Sequence, residues 1–223
     1  MFDFSEVKLP DYTRLEDTLN SVTHAIGIPF SVFSVVMLFL KLGGTGSAMQ
    51  KTAVVVYCLA MLILYAGSAV YHGLKPGIHK QIARVLDHAN IFIMIAGTLT
   101  AFYLLGVMNY KPALAAALLA FSWLIAAVGI FLTFMNQEKF KKIQMVMYLL
   151  LGWTAVIGFK SVYDSGISGR HAVMLVFIGG MAYTLGAVFY GIGKRHRYIH
   201  AVFHIFILAG TVLQFVGIYR HML

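Results

Sequence analysis

The chain has 223 residues, 60% of them apolar and 11% charged, with a formal net charge of +9. The apolar residues come in blocks rather than in alternation, which excludes a soluble domain and points to a membrane protein. A single cysteine, Cys58, excludes an intramolecular disulfide and a thiolate zinc site.

A hydrocarbon core about 30 Å thick needs about 20 helical residues to cross it. Before the first such stretch stand Asp3, Glu6, Asp11, Glu16 and Asp17. They are unlike the basic start of a cleavable signal peptide, so none is expected. Seven stretches of spanning length follow, at about 21–41, 52–73, 83–105, 112–134, 143–162, 171–191 and 197–219. The count falls to six if the fifth, interrupted by Gly and Lys, only dips into the bilayer. Cys58 falls inside the second stretch and reads as a small buried apolar residue. The predicted fold is all-α, a single polytopic domain covering residues 1–223.

The connections are short: Gly43–Ser47 after the first span, Lys75-Pro76-Gly77 after the second, Asn109–Pro112 before the fourth. Their Gly, Pro and Asn suit tight turns, and turns this short make successive helices antiparallel neighbours. Glycines inside the later spans, among them Gly152, Gly158, Gly179 and Gly186, fit close helix–helix contact. With the N-terminus inside, eleven of the seventeen Lys and Arg fall on the cytoplasmic side, among them Lys8, Arg14, Lys80, Arg84, Lys194 and Arg195. The bias predicts N-in and C-out. The positive charge therefore reports topology and anionic headgroups rather than a nucleic-acid partner.

This orientation gathers polar residues at the cytoplasmic ends of four spans. Glu16, Asn20 and His24 lie at i, i+4, i+8 before and into the first. Ser68 and His72 end the second, Asp87 and His88 begin the third, and His200 and His204 begin the seventh. Imidazoles in a bilayer-length segment are costly unless partnered. The i, i+4 spacing puts His200 and His204 on one helix face, and His72 arrives from another helix. Three neutral imidazoles and one open position form the ligand set of a catalytic zinc site. We therefore expect Zn2+ on His72, His200 and His204, with Asp87 bonding its water and Ser68 facing the same pocket as a donor. His88, about 100° away from Asp87 on the helix, reads as supporting or structural. His79 and His196 read as loop residues, Glu16 as an interfacial charge or cap, and Asn20 and His24 as bridges between helices. His171 and His221 are expected to stand alone at the far end.

The strings Glu16–His24, Ser68-Ala69-Val70-Tyr71-His72, Leu86-Asp87-His88 and His200-Ala201-Val202-Phe203-His204 resemble the bacterial hemolysin III family. That family belongs with the progestin and adipoQ receptors, including the adiponectin receptors, and is distantly similar to alkaline ceramidases. The resemblance covers essentially the whole chain. It implies seven helices in a bacterial cell membrane, a cytoplasmic N-terminus and zinc on the histidines matching His72, His200 and His204. It also implies that a zinc water is contacted by the carboxylate matching Asp87, with Ser68 in the same cavity. The N-terminal region is shorter than in the eukaryotic receptors, so a peptide-hormone role does not carry over.

Three readings of function follow. The first is an intramembrane zinc hydrolase acting on a lipid amide or ester. The second is a non-catalytic protein, stapled by zinc, that senses lipid or regulates membrane composition. The third, a pore-forming toxin, fits poorly, because a secreted cytolysin should be soluble before insertion. Substrate and oligomeric state are not encoded in any motif.

Overall fold

The protein is described from a computed structural model that covers residues 4, 7–193 and 196–223. Asp3, Glu6, Lys194 and Arg195, which entered the charge reading above, lie outside the described residues. The described chain is all helical: α1 (Arg14–Ala25), α2 (Gly27–Leu42), α3 (Ala48–Gly73), α4 (Ile78–Leu105), α5 (Pro112–Trp153), α6 (Ala155–Tyr163), α7 (Ile167–Ile192) and α8 (Ile199–His221).

Local signals start these helices where the sequence places them. Thr13 and Glu16 form a capping box on α1, and Ser47 and Gln50 form one on α3. Pro112 opens α5, where its missing N–H would be unbonded in any case. Gly77 and Gly166 precede α4 and α7 with φ of 150° and 116°, backbone that side-chain-bearing residues rarely adopt.

Six helical segments among the described residues are long and apolar enough to cross a membrane, not the expected seven. The expected spans 112–134 and 143–162 are joined in one helical stretch, Pro112–Tyr163, of 52 residues. Residues 135–142 contain no Gly or Pro, so helix continues through them except at Asn136, whose backbone is extended (φ −170°, ψ 95°). The Asn136 side chain accepts the Lys139 N–H at 2.9 Å and so caps the restarted helix. Contacts with α4 trace the path of this stretch. Trp123 donates to Thr100, Glu138 pairs with Arg84, Tyr148 donates to the His88 carbonyl, and Thr154 bonds Tyr103. Residues 123 and 154 thus meet one end of α4 while residue 138 meets the other.

α4 is the central helix, its apolar length far more buried than that of the Pro112–Tyr163 segment or of α7. It packs between α3 and α5; α7 packs on α8, and α1 contacts both α3 and α8, which closes the bundle. One apolar cluster, including Tyr57, Met61 and Phe215, lies where α2, α3, α4 and α8 meet. A second, including Phe92, Phe102 and Leu151, fills the α4–α5 side. Gly97 lets α4 approach Ala60 of α3, and Gly129 lets α5 seat on the Phe92 ring; a Cβ at either would overlap its neighbour. The outer surface is apolar, with Leu40, Leu124, Leu150 and Ile167 all well exposed. In water such a surface would be untenable; against lipid tails it is the expected solvent face.

Candidate metal centre

His72 sits in the last turn of α3, and His200 and His204 occupy the first two turns of α8. One ligand atom from each lies within 4.8 Å of the other two. The ring centroids are 5.1 Å apart for His72–His200, 5.2 Å for His72–His204 and 4.6 Å for His200–His204. His72 and His204 are each 1% exposed. The three histidines expected from spacing are therefore together, and they could hold one metal ion.

Two of the rings are oriented by their other nitrogen. His72 Nδ1 lies 3.3 Å from Asp17 Oδ1, and Asp17 Oδ2 accepts from Lys80 Nζ at 2.6 Å. Lys80 is 2% exposed and also donates to the Leu74 carbonyl at 3.0 Å. His204 Nδ1 lies 3.0 Å from the Asn20 carbonyl and 3.1 Å from Thr23 Oγ1. A carbonyl accepts only, so His204 carries its proton on Nδ1; the carboxylate favours the same tautomer in His72. Both Nε2 atoms are then bare lone pairs. His72 Nε2 is buried with no hydrogen-bond partner among the described residues, a costly arrangement that a metal ion would relieve. His200 is held by rings instead, with Tyr12 at 5.4 Å, Phe203 at 5.3 Å and Tyr190 at 5.8 Å. Burial pushes the Tyr12 phenol above its ordinary range, so it stays neutral beside the imidazoles.

Asp87 and Ser68 line one cavity with His200 and His204. No carboxylate joins the group of close ligand atoms among the described residues. Ser68 is 1% exposed and its hydroxyl has no hydrogen-bond partner among the described residues. His88 is occupied structurally: Nδ1 donates to the Arg84 carbonyl at 2.9 Å, and Nε2 accepts from Tyr190 at 3.3 Å. The cavity has a volume of ≈ 480 Å³ and also reaches Phe159, Val176 and Ile218. From His204 to Ile218 along α8 is about 21 Å, at 1.5 Å per residue.

Several neighbours differ from expectation. Asn20 and His24 do bridge helices as expected, but not through side-chain hydrogen bonds, for which neither has a partner among the described residues. The interhelical bond comes from the Asn20 backbone carbonyl, while His24 stacks on His204 at 3.5 Å and meets Tyr65 edge-on at 5.3 Å. Glu16 resolves as a cap: beyond its capping box it accepts the Tyr198 N–H at 3.3 Å, and Tyr198 has the left-handed φ of 65°. His79 lies in the first turn of α4, exposed, rather than in a loop. His171 and His221 are not alone, their rings being 5.3 Å apart. Asp17 and Lys80 are site residues that the motif reading passed over. Asp17 forms an i, i+3, i+7 stripe with Asn20 and His24, which is the signal that could have found it.

Comparison with known proteins agrees with this architecture. Residues 12–215 match the family described as haemolysin-III related. The chain is 34% identical over 204 residues to the hemolysin-3 homolog of Bacillus subtilis (strain 168), covering 92% of this chain and 93% of that one. It is 30% identical over 200 residues to hemolysin-3 of Bacillus cereus, covering 90% and 89%. It is also 24% identical over 218 residues to the monocyte to macrophage differentiation factor of Homo sapiens, covering 94% and 86%. The matched segment contains every residue of the histidine centre, and the mammalian likeness supports the wider superfamily of progestin and adipoQ receptors. This multi-pass membrane protein belongs to the haemolysin-III-related family.

Proposed function

We propose that the protein is a zinc-dependent hydrolase of a membrane-lipid amide or ester, working in the cytoplasmic leaflet of a bacterial cell membrane. The observation that carries this reading is the triad of convergent imidazoles, two of them oriented through Nδ1, of which His200 and His204 line a long, largely apolar cavity that Asp87 and Ser68 also line. Three histidines with no fourth close ligand among the described residues suit an open zinc position rather than a closed structural one. Seven spans with N-in, C-out topology complete the proposal. A helical stretch of 52 residues would measure about 78 Å as a rod, more than twice the hydrocarbon thickness, and its contacts run along α4 in both directions. The break at Asn136 is then a cytoplasmic turn between two passes.

Zinc held by His72, His200 and His204 would supply a polarised carbonyl and a water with its pKa lowered toward about 7. Asp87 takes a proton from the attacking water and returns it to the departing amine or alcohol. The Ser68 hydroxyl, with no hydrogen-bond partner among the described residues, donates to the carbonyl oxygen of the scissile bond. The apolar length of the cavity keeps the tail out of water while the linkage sits at the histidines. Only a lipid substrate makes this location sensible for hydrolysis.

Asp87→Asn keeps the shape of the side chain and loses the base. In purified protein given fluorescent acyl-amide and acyl-ester lipids, it should lower turnover about 100-fold or more while zinc content stays at the wild-type level. Unchanged turnover in Asp87→Asn would reject the role, and loss of zinc would indicate a closed structural site.

A further inference from the structure

Gln144 is one of the polar groups lining the cavity that neither the triad nor the proposed hydrolysis uses; Gln214, farther along α8, is another. Gln144, on the second part of α5, is 1% exposed, and neither its Oε1 nor its Nε2 has a hydrogen-bond partner among the described residues. Its side chain lines the same cavity as Asp87, His88 and His200. The helix around it is pinned to α4 on both sides. Six residues earlier Glu138 takes Arg84 at 2.8 Å, and one turn later Tyr148 donates to the His88 carbonyl at 2.8 Å. Gln144 thus lies between two contacts that bracket the Arg84–His88 turn, the turn that carries Asp87. A primary amide buried with both ends free is costly, whereas Leu or Met would fill similar volume without that cost.

We propose that Gln144 is a specificity residue that reads a neutral group on the lipid, next to the bond under attack, able both to donate and to accept hydrogen bonds. The identity of the occupant as a lipid rests on the hydrolase reading above. An amide side chain offers one acceptor oxygen and two donor hydrogens. A carboxylate, phosphate or plain ester on the ligand accepts only and would leave Oε1 bare. A hydroxyl or a secondary amide satisfies both ends. Most of the remaining cavity wall, including Leu64, Ile95, Leu99 and Phe177, is apolar and suits the tail, with Thr98, Thr184 and Gln214 among the polar exceptions. Gln144 stands beside the Arg84–His88 turn that carries Asp87, so the polar end of the ligand belongs at Gln144 and the histidines.

The test uses the full chain, zinc-loaded, in lipid nanodiscs, and reads binding of two probes with the same acyl chain. N-palmitoylethanolamine carries an amide N–H and a hydroxyl; ethyl palmitate carries no donor. Wild type should bind the first at least about 10-fold more tightly. Gln144→Leu and Gln144→Met should shrink that ratio about 10-fold with zinc content unchanged, and should raise the melting temperature without probe, because a partnerless amide has been removed. A ratio that survives in both variants overturns the proposal, as does wild type that fails to discriminate. A lowered melting temperature with an unchanged ratio assigns Gln144 a packing role instead and also overturns it. Because binding is read, wild type that discriminates but never cleaves would defeat the hydrolase reading and leave the role of Gln144 standing.

Discussion

His72 Nδ1 lies 3.3 Å from Asp17 Oδ1, so a histidine at the end of α3 takes its orientation from a carboxylate in the first turn of α1. The second oxygen of Asp17 is held by the buried Lys80 at 2.6 Å. Three helices therefore meet in one chain of contacts, Lys80–Asp17–His72, that ends at the candidate metal position. Lys80 belongs to the cytoplasmic cations of the charge reading, yet its charge is spent on Asp17 rather than on headgroups.

Asp17→Asn should weaken zinc binding about 10- to 100-fold, the usual cost of losing the acceptor behind a ligating histidine. Lys80→Met should weaken it in the same direction and also lower thermal stability, because it leaves the Asp17 carboxylate without its cation. Competition against a zinc chelator of known affinity measures both variants. Affinities equal to wild type would show that the α1 carboxylate does not support the metal.

Glu16 ties the start of α1 to the start of α8 through Thr13 and the Tyr198 N–H. Glu16→Ala should cost about 1–2 kcal/mol of stability, the range for a lost cap, while zinc stoichiometry stays at one per chain. Thermal unfolding in a fixed detergent, paired with metal analysis, separates the two effects. A stable variant lacking zinc would move Glu16 from cap to metal centre.

The proposed N-in, C-out topology, with its turn at Asn136, predicts that a reporter fused after Leu223 is active only on the extracytoplasmic side. Cytoplasmic activity of that fusion would contradict the N-in, C-out topology and the placement of the histidine cluster in the cytoplasmic leaflet.

The histidine triad was legible because its signal is local and unusual: two imidazoles at i, i+4 at the head of an apolar helix, and a third at the end of another. Helix positions were legible for the same reason, since bilayer-length apolar blocks with capping residues allow few alternatives. The join between 112–134 and 143–162 was not legible. Residues 135–142 look like a polar loop, yet without Gly or Pro they stay helical except at Asn136. Asp17 stands among several acidic residues near the N-terminus; its stripe with Asn20 and His24 marks the face it shares, while its partners, His72 on α3 and Lys80 on α4, are fixed only by tertiary packing. Asn20 and His24 were placed on the correct face, but which of their atoms reach a neighbour depends on helix separation, which spacing does not encode. Gln144 lay beyond reach altogether, because a glutamine carries no sign of whether its partners exist.

Zinc stoichiometry of purified wild type and of the His72/His200/His204 triple alanine variant, measured side by side after identical zinc loading and desalting, tests the central claim most directly. The expected result is one zinc per wild-type chain, with nitrogen ligands at about 2.0–2.1 Å by X-ray absorption, and none in the triple variant. Stoichiometric zinc retained by the triple variant, or wild type that binds none, would contradict the assignment of this cluster as the metal centre.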